Sequence, residues 1–278
     1  MPELPEVETI RSDLERLLTG KKIRSVRTLD PTVLTGIGPN GKPRRKVLPA
    51  ELERNVVGKT LAHFERRGKY LVMEFGDRSA LLIHLRMTGQ LRVEEPCGKE
   101  RLIFAFQDST HLCFRDPRRF GEIKFAPDWK NEKEIRSLGI EPLNGEMSAT
   151  KLEMLFRGRK APIHSLLLNQ TLVSGLGNIY VTEALFRARI RPFRPAGQIG
   201  KRRLDDLARS IREVLSESVR NRGYSMTNYV DAMGRKGRSQ LFTLAYGKEG
   251  QPCCYCKGSL QRKVLGGRGV VYCSRCQK

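Results

Sequence analysis

The sequence predicts an α+β protein: a β-sandwich led by an N-terminal helix, then a helical region ending in a small cysteine-rich hairpin. Three observations predict it. Apolar residues recur at helical spacing directly after Pro5; short alternating runs separated by Gly, Asp, Pro and Ser fill residues 22–127; helical periodicity then returns until four cysteines appear in two close pairs.

In the first helix Val7, Ile10, Leu14, Leu17 and Leu18 share one face, and Gly20 is a natural stop. Strands are expected at Ile23–Thr28, Thr60–Arg66, Tyr70–Phe75, Leu81–Leu85, Gln90–Glu94, Leu102–Gln107, His111–Arg115 and Glu122–Phe125, a spacing that fits a sandwich or flattened barrel. Residues 30–50 carry Pro31, Gly36, Gly38, Pro39, Gly41, Pro43 and Pro49 and read as a long, mobile loop. A charged stretch, Asp128 to Arg136, leads into the helical half. There Ile179–Arg187 reads as a short helix, and Leu204, Leu207, Ile211, Leu215 and Val219 mark a long one. Before the short helix lies Ser174-Gly175-Leu176-Gly177-Asn178, whose glycines permit tight turns and close approach of backbone to a phosphate. The expected domains are residues 1–130, a linker 131–148, a helical domain 149–245 and a terminal hairpin 246–278.

Two of the seven cysteines, Cys97 and Cys113, are isolated, and five fall in the last 26 residues, which is not a disulfide framework. Cys253-x2-Cys256 and Cys273-x2-Cys276 have the spacing of a four-thiolate zinc site holding one structural ion, with Cys254 left over. Four sulfurs without a neighbouring His or carboxylate leave no open position for metal catalysis.

A net charge of +22 points to a polyanionic partner, with double-stranded DNA the leading one. Residues 201–278 hold 17 Lys+Arg against 6 Asp+Glu, so the basic excess is marked in the C-terminal part. No apolar run is long enough for a membrane helix, and the acidic first twenty residues lack a signal-peptide core, so a cytoplasmic, nucleoid-associated monomer is expected. Five acids against two Arg in those twenty residues are a liability on DNA unless some of them act. For Glu8, Asp13 and Glu15, an ordinary solvated helix face is an adequate reading.

The chain begins Met1-Pro2-Glu3-Leu4-Pro5-Glu6. If Met1 is removed, Pro2 presents a secondary amine that forms an iminium with no N–H to lose, an electron sink on a sugar carbon, with the Glu3 carboxylate beside it to carry protons. The plainer reading is that Pro2 and Pro5 simply start a helix.

Taken together, Pro2–Thr9, Arg66–Leu71, His84–Gly89, Asp116–Gly121, Leu138–Leu143, Gly177–Tyr180 and the four-cysteine ribbon resemble the formamidopyrimidine-DNA glycosylase family of base-excision repair enzymes, in its order and from end to end. Leu4 favours that family over its relative endonuclease VIII. The resemblance implies a β-sandwich with a catalytic helix, a helix-two-turn-helix domain and a zinc hairpin. It also implies removal of oxidised purines, 8-oxoguanine and formamidopyrimidines, from damaged duplex DNA, then strand cleavage by β,δ-elimination. Pro2 is then the nucleophile at C1′, Glu3 the acid and base, and Lys69 and Arg268 phosphate-contacting partners of the chemistry. Met87, Arg118 and Phe120 fill the gap left by the extruded nucleotide, Asn178 pinches the phosphates with Arg268, Glu6 shapes the lesion site, and His84 joins the DNA-binding set.

Two departures stand out. His164 occupies a place where the family often has lysine, and Arg222–Tyr229 differs from the family's usual lesion-covering loop. The departing loop leaves an endonuclease VIII-like preference for oxidised pyrimidines as one alternative, and the charge and cysteines leave another from a different class, a zinc-ribbon protein that binds damaged DNA without cutting it.

Overall fold

A computed structural model of the protein describes residues 1–35 and 47–278. They divide into two compact units that do not follow the chain contiguously: unit 1 is Met1–Arg136 with Asn221–Arg238, and unit 2 is Ser137–Arg220 with Ser239–Lys278.

Unit 1 opens with α1 (Leu4–Leu18), which has proline in its first turn and a capping box between Glu3 and Glu6. Its apolar stripe of Val7, Ile10, Leu14 and Leu18 is buried. The strands are β1 (Ile23–Thr28), β2 (Leu61–Arg67), β3 (Tyr70–Phe75), β4 (Ala80–His84), β5 (Gln90–Val93), β6 (Leu102–Phe106), β7 (His111–Arg115) and β8 (Glu122–Ala126). They form two antiparallel sheets, ordered β1-β6-β7-β5 and β2-β3-β4-β8. Phe104 and Phe114 of one sheet share a core with Leu71 and Phe75 of the other and with α1, which makes the unit a sandwich. Every expected strand is present within a residue or two of its expected ends.

The expected loop over residues 30–50 is corrected where it is described. A short helix, α2 (Thr32–Thr35), packs on β8, and α3 (Pro49–Val56) packs on β1. Pro49 starts α3 from its first turn, where a missing N–H costs nothing, so the residue read as a breaker is an initiator. Residues 36–46, with the rest of that expectation and its mobility, lie outside the described residues.

The charged stretch after β8 contains a 3-10 turn at Trp129–Asn131 and α4 (Lys133–Arg136). Unit 2 contains α5 (Ala149–Phe156), α6 (Ile163–Leu167), α7 (Asn178–Arg187) and α8 (Lys201–Arg220), with α5 and α7 packed on α8. The glycine turn between α6 and α7 is closed by Gln170, whose side chain accepts from the Gly175 amide at 2.9 Å and donates to the Leu176 carbonyl at 2.8 Å. The chain ends in an antiparallel hairpin, β9 (Gln261–Leu265) and β10 (Arg268–Tyr272). Val271 and Leu260 dock it with Cys253 and Cys273 against Phe186 of α7. Among the described residues no helix is long and apolar enough to cross a membrane.

Candidate functional site

Pro2 and Glu3 are buried at the mouth of α1, while Met1 is exposed. Glu3 is the N-cap: its side chain accepts from the Glu6 amide, and its own amide donates to Glu6 Oε2 at 2.7 Å. The other Glu6 oxygen accepts the Tyr224 amide at 2.7 Å, and the Tyr229 hydroxyl reaches the Glu6 carbonyl at 3.4 Å. One carboxylate thus ties the first helical turn to the returning segment Asn221–Arg238. Gly223 is required at this junction: its φ is +81°, and a Cβ there would stand 2.8 Å from Glu6 Oε1.

The returning segment is anchored again two turns further along α1. The Arg222 guanidinium bridges Asp13 and Asp231, and Arg235 Nε donates to Asp231 at 2.9 Å. Asp13 is 3% exposed, so the solvated-face reading fails for it, whereas Glu8 pairs with Arg11 and Arg66 at 2.8 Å and Glu15 accepts the Phe64 amide. Burial alone would raise the Asp231 pKa, but amides of Arg235 and Met233 and both guanidinium groups outweigh it and hold the carboxyl below its usual range. Sequence reasoning missed this network because Asp13 and Arg222 are 209 residues apart in the chain.

Met87, Arg118 and Phe120 stand on two turns that a buried carboxylate joins. Asp116 Oδ1 accepts the Thr88 hydroxyl and the Arg118 amide, and Oδ2 accepts the Gly121 amide at 2.7 Å. Met87 is 43% exposed, Arg118 is exposed, and Phe120 is half-buried with the Arg118 guanidinium 4.8 Å from its ring centre. Gly121 allows the second turn to lie against the core, since a Cβ would come within 2.7 Å of Phe114 Cζ. Asp116 was legible only as part of a motif; its pattern, an Asp whose side chain caps the turn that follows, is the signal that locates it.

Lys69 follows Gly68 in the tight β2–β3 turn and is 7% exposed, which rules out a merely solvated lysine. His84 at the end of β4 is also buried; Tyr70 packs edge-on against its ring at 4.7 Å, and its Nδ1 accepts the Arg86 amide at 3.1 Å.

In unit 2, Asn178 opens α7 behind the glycine turn. Its Nδ2 donates to the Gly269 carbonyl at 2.9 Å, next to exposed Arg268, and its Oδ1 lies 2.9 Å from His164 Nε2. The Cys253, Cys256, Cys273 and Cys276 sulfurs all lie within 4.8 Å of one another. Two of the separations, 3.5 and 3.9 Å, match the edge of about 3.8 Å that metal–sulfur bonds of about 2.3 Å give a tetrahedron. Burial and the three neighbouring thiols push Cys276 up to about 12, so its ionisation needs a cation among the sulfurs. Cys254 is exposed and outside the cluster. Glu183 of α7 carries the chain into this hairpin by accepting the amides of Leu244, Ala245 and Tyr246 at 2.7–2.9 Å, a role that nothing in the sequence signalled.

Residues 1–123 match the family model for the formamidopyrimidine-DNA glycosylase N-terminal domain, and residues 138–229 match its H2TH domain. A formamidopyrimidine-DNA glycosylase of Pelotomaculum thermopropionicum is 39% identical over 284 residues, covering 100% of this chain and 99% of that relative. The chain belongs to the formamidopyrimidine-DNA glycosylase family. Members of this family are DNA glycosylases with abasic-site lyase activity, and solved structures agree with the assignment. Wild-type Lactococcus lactis Fpg (MutM), in complex with DNA containing N7-benzyl-Fapy-dG, is 32% identical with a TM-score of 0.88, covering 100% of both chains. A MutM in complex with DNA containing carbocyclic 8-oxo-G is also 32% identical, with a TM-score of 0.87 and the same coverage. The helical region is accordingly the H2TH part of the glycosylase fold, and the sandwich its N-terminal part.

Proposed function

We propose that this glycosylase removes oxidised purines, 8-oxoguanine and formamidopyrimidines, from duplex DNA as a monomer and cleaves the strand through a Pro2 Schiff base. The observation that carries the reading is the arrangement at the mouth of α1, where Pro2 is buried beside the Glu3 carboxylate in a turn clamped by Glu6. The related proteins solved with DNA containing N7-benzyl-Fapy-dG and carbocyclic 8-oxo-G favour purine lesions.

Once Met1 is removed, the neutral Pro2 amine attacks C1′, the bond from C1′ to the damaged base breaks, and the proton of the attacking amine passes to the departing base. Glu3 donates a proton to the sugar ring oxygen, the ring opens, and the positive charge rests on the iminium. That charge acidifies C2′–H. Loss of this proton expels the 3′ phosphate, and a second elimination expels the 5′ phosphate.

Lys69 and Arg268 hold the phosphates on which those departures depend, with Asn178 beside Arg268. Met87, Arg118 and Phe120 replace the extruded nucleotide: a flexible thioether and an aromatic ring restore stacking, and a guanidinium pairs with the widowed base. Glu6 and His84 shape the site by fixing the backbone of the first helical turn and of Arg86. Zinc, when bound by the four cysteines, supplies structural closure of the hairpin.

Borohydride trapping on a lesion-containing duplex, followed by mapping of the cross-linked peptide, tests the reading. A cross-link to Pro2 is expected; a cross-link to a lysine, or none, overturns it.

A further inference from the structure

The Gly269 carbonyl can only accept, so the carboxamide atom of Asn178 that faces it at 2.9 Å is Nδ2. This turns Oδ1 towards His164, and Nε2 of that ring, 2.9 Å away, must carry the proton it shares. His164 is fully buried. Burial lowers its pKa, the Asn178 bond opposes this, and the Arg268 charge lowers it again, with a net shift below the ordinary value. The ring is therefore neutral, with its proton on Nε2 and a lone pair on Nδ1, which is buried and has no hydrogen-bond partner among the described residues. Every link in the chain from His164 to Asn178 to Gly269 points one way.

The hairpin turn needs such an anchor. Gly266 and Gly267, at φ +55° and +74°, place no side chain against the rest of unit 2, and Arg268 itself is exposed. Were the Asn178 carboxamide to rotate by half a turn, its oxygen would meet the Gly269 carbonyl oxygen and the anchor would become a repulsion. The His164 proton removes that option, because the rotated amide would present a donor to a donor.

We infer that His164 is a positioning residue: its Nε2–H fixes the Asn178 carboxamide, which holds the Gly269 carbonyl and so sets where the Arg268 guanidinium meets a DNA phosphate. The inference rests on the reading of Arg268 as a phosphate contact, and the test separates the two.

Affinity for a duplex carrying a stable abasic-site analogue is measured by anisotropy for a double-mutant cycle of His164→Phe and Arg268→Ala, with His164→Gln as rescue. Phenylalanine keeps the volume and loses the donor; glutamine keeps a donor. His164→Phe is expected to weaken binding about five- to tenfold, the scale of one lost hydrogen bond to a charged contact's support, and to cost nothing further in the Arg268→Ala background. Glutamine is expected to restore affinity to within about twofold, since the bond needs only a donor at that place. Nitrogen NMR of the wild-type ring should report the Nε2–H tautomer.

Wild-type affinity in His164→Phe overturns the inference. So does an equal loss in both backgrounds, which marks a structural role only, and so does an Nδ1–H tautomer. Should His164→Phe fail to fold, the glutamine variant and the tautomer decide. An Arg268→Ala protein that binds as tightly as wild type removes the phosphate reading itself, and this inference with it, whatever the His164 variants do.

Discussion

Thr88 and Asp116, on separate turns of the sandwich, are joined by a hydrogen bond between buried groups, and through it Met87 and Phe120 stand on one continuous support. The support and the proposed wedge are therefore separable by mutation. Met87→Ala and Phe120→Ala should change stability by no more than about 1 kcal/mol, whereas Phe114→Ala, in the core below, should cost about 3–5 kcal/mol. Excision from intact duplex should suffer in both wedge variants, and excision of an already unpaired base should suffer less. A Phe120→Ala protein that melts like Phe114→Ala, with both substrates impaired alike, would place Phe120 in the core.

Asp116→Ala should behave differently from either wedge variant. It strips acceptors from the Thr88 hydroxyl and from the amides of Arg118 and Gly121, so a loss of about 2–4 kcal/mol is expected in denaturant unfolding, with excision impaired as well. A stability loss below about 1 kcal/mol would show that water replaces the carboxylate without strain.

Glu3→Gln should keep the fold and lose the chemistry. The Gln carbonyl oxygen can still accept the Glu6 amide at the helix mouth, so the melting temperature should hardly move, while single-turnover base release should slow about 10²- to 10⁴-fold. An added residue ahead of Pro2 should abolish trapping and leave DNA binding intact, because an amide nitrogen is not a nucleophile. Full activity of an extended or Met1-retaining form would end the Pro2 mechanism.

Acid should reveal the returning segment. The Asp231 carboxyl is depressed in the folded state, so its stabilising contribution is complete above the unfolded value of about 3.9 and is lost as pH falls through the folded pKa. Asp231→Asn leaves Arg222 and Asp13 imperfectly paired and should cost about 3 kcal/mol at neutral pH, with the difference from wild type narrowing below about pH 4. A difference that stays constant down to pH 2 would mean that the carboxylate charge is not what holds the segment.

Removing any one cluster cysteine should release the ion. Cys273→Ser should lose metal and DNA affinity together, since the sulfur is buried and Arg268 lies on the same hairpin, while Cys254→Ser should bind metal and DNA as wild type does. Retention of one zinc per chain by Cys273→Ser, measured by elemental analysis, would reassign the ligands.

What the sequence made legible follows the range of the forces involved. The strands and α1 could be placed because alternation and helical spacing are local records of burial, and the cysteine quartet because its geometry is written in its spacing. The α3 helix was hidden by Pro49, which has one meaning in a loop and the opposite at a first turn. Asp13 looked like any acid on a helix surface; only the arrival of Arg222 makes it an interior residue. The resemblance could name His84 and Glu6, yet their hydrogen bonds to Arg86, Glu3 and Tyr224 needed coordinates.

The return of Asn221–Arg238 to unit 1 also sets an order of events at the ribosome. When synthesis has passed Arg136, Asp13 still lacks its guanidinium and Glu6 the Tyr224 amide, and both must wait for the chain to reach residue 238. At about 5–20 residues per second, that stretch of roughly 100 residues takes on the order of 5–20 s. For that interval the first turn of α1 in the nascent sandwich has a clamp that is half built. Chain termination anywhere before residue 238 should therefore yield a first unit that is both less stable and chemically incomplete.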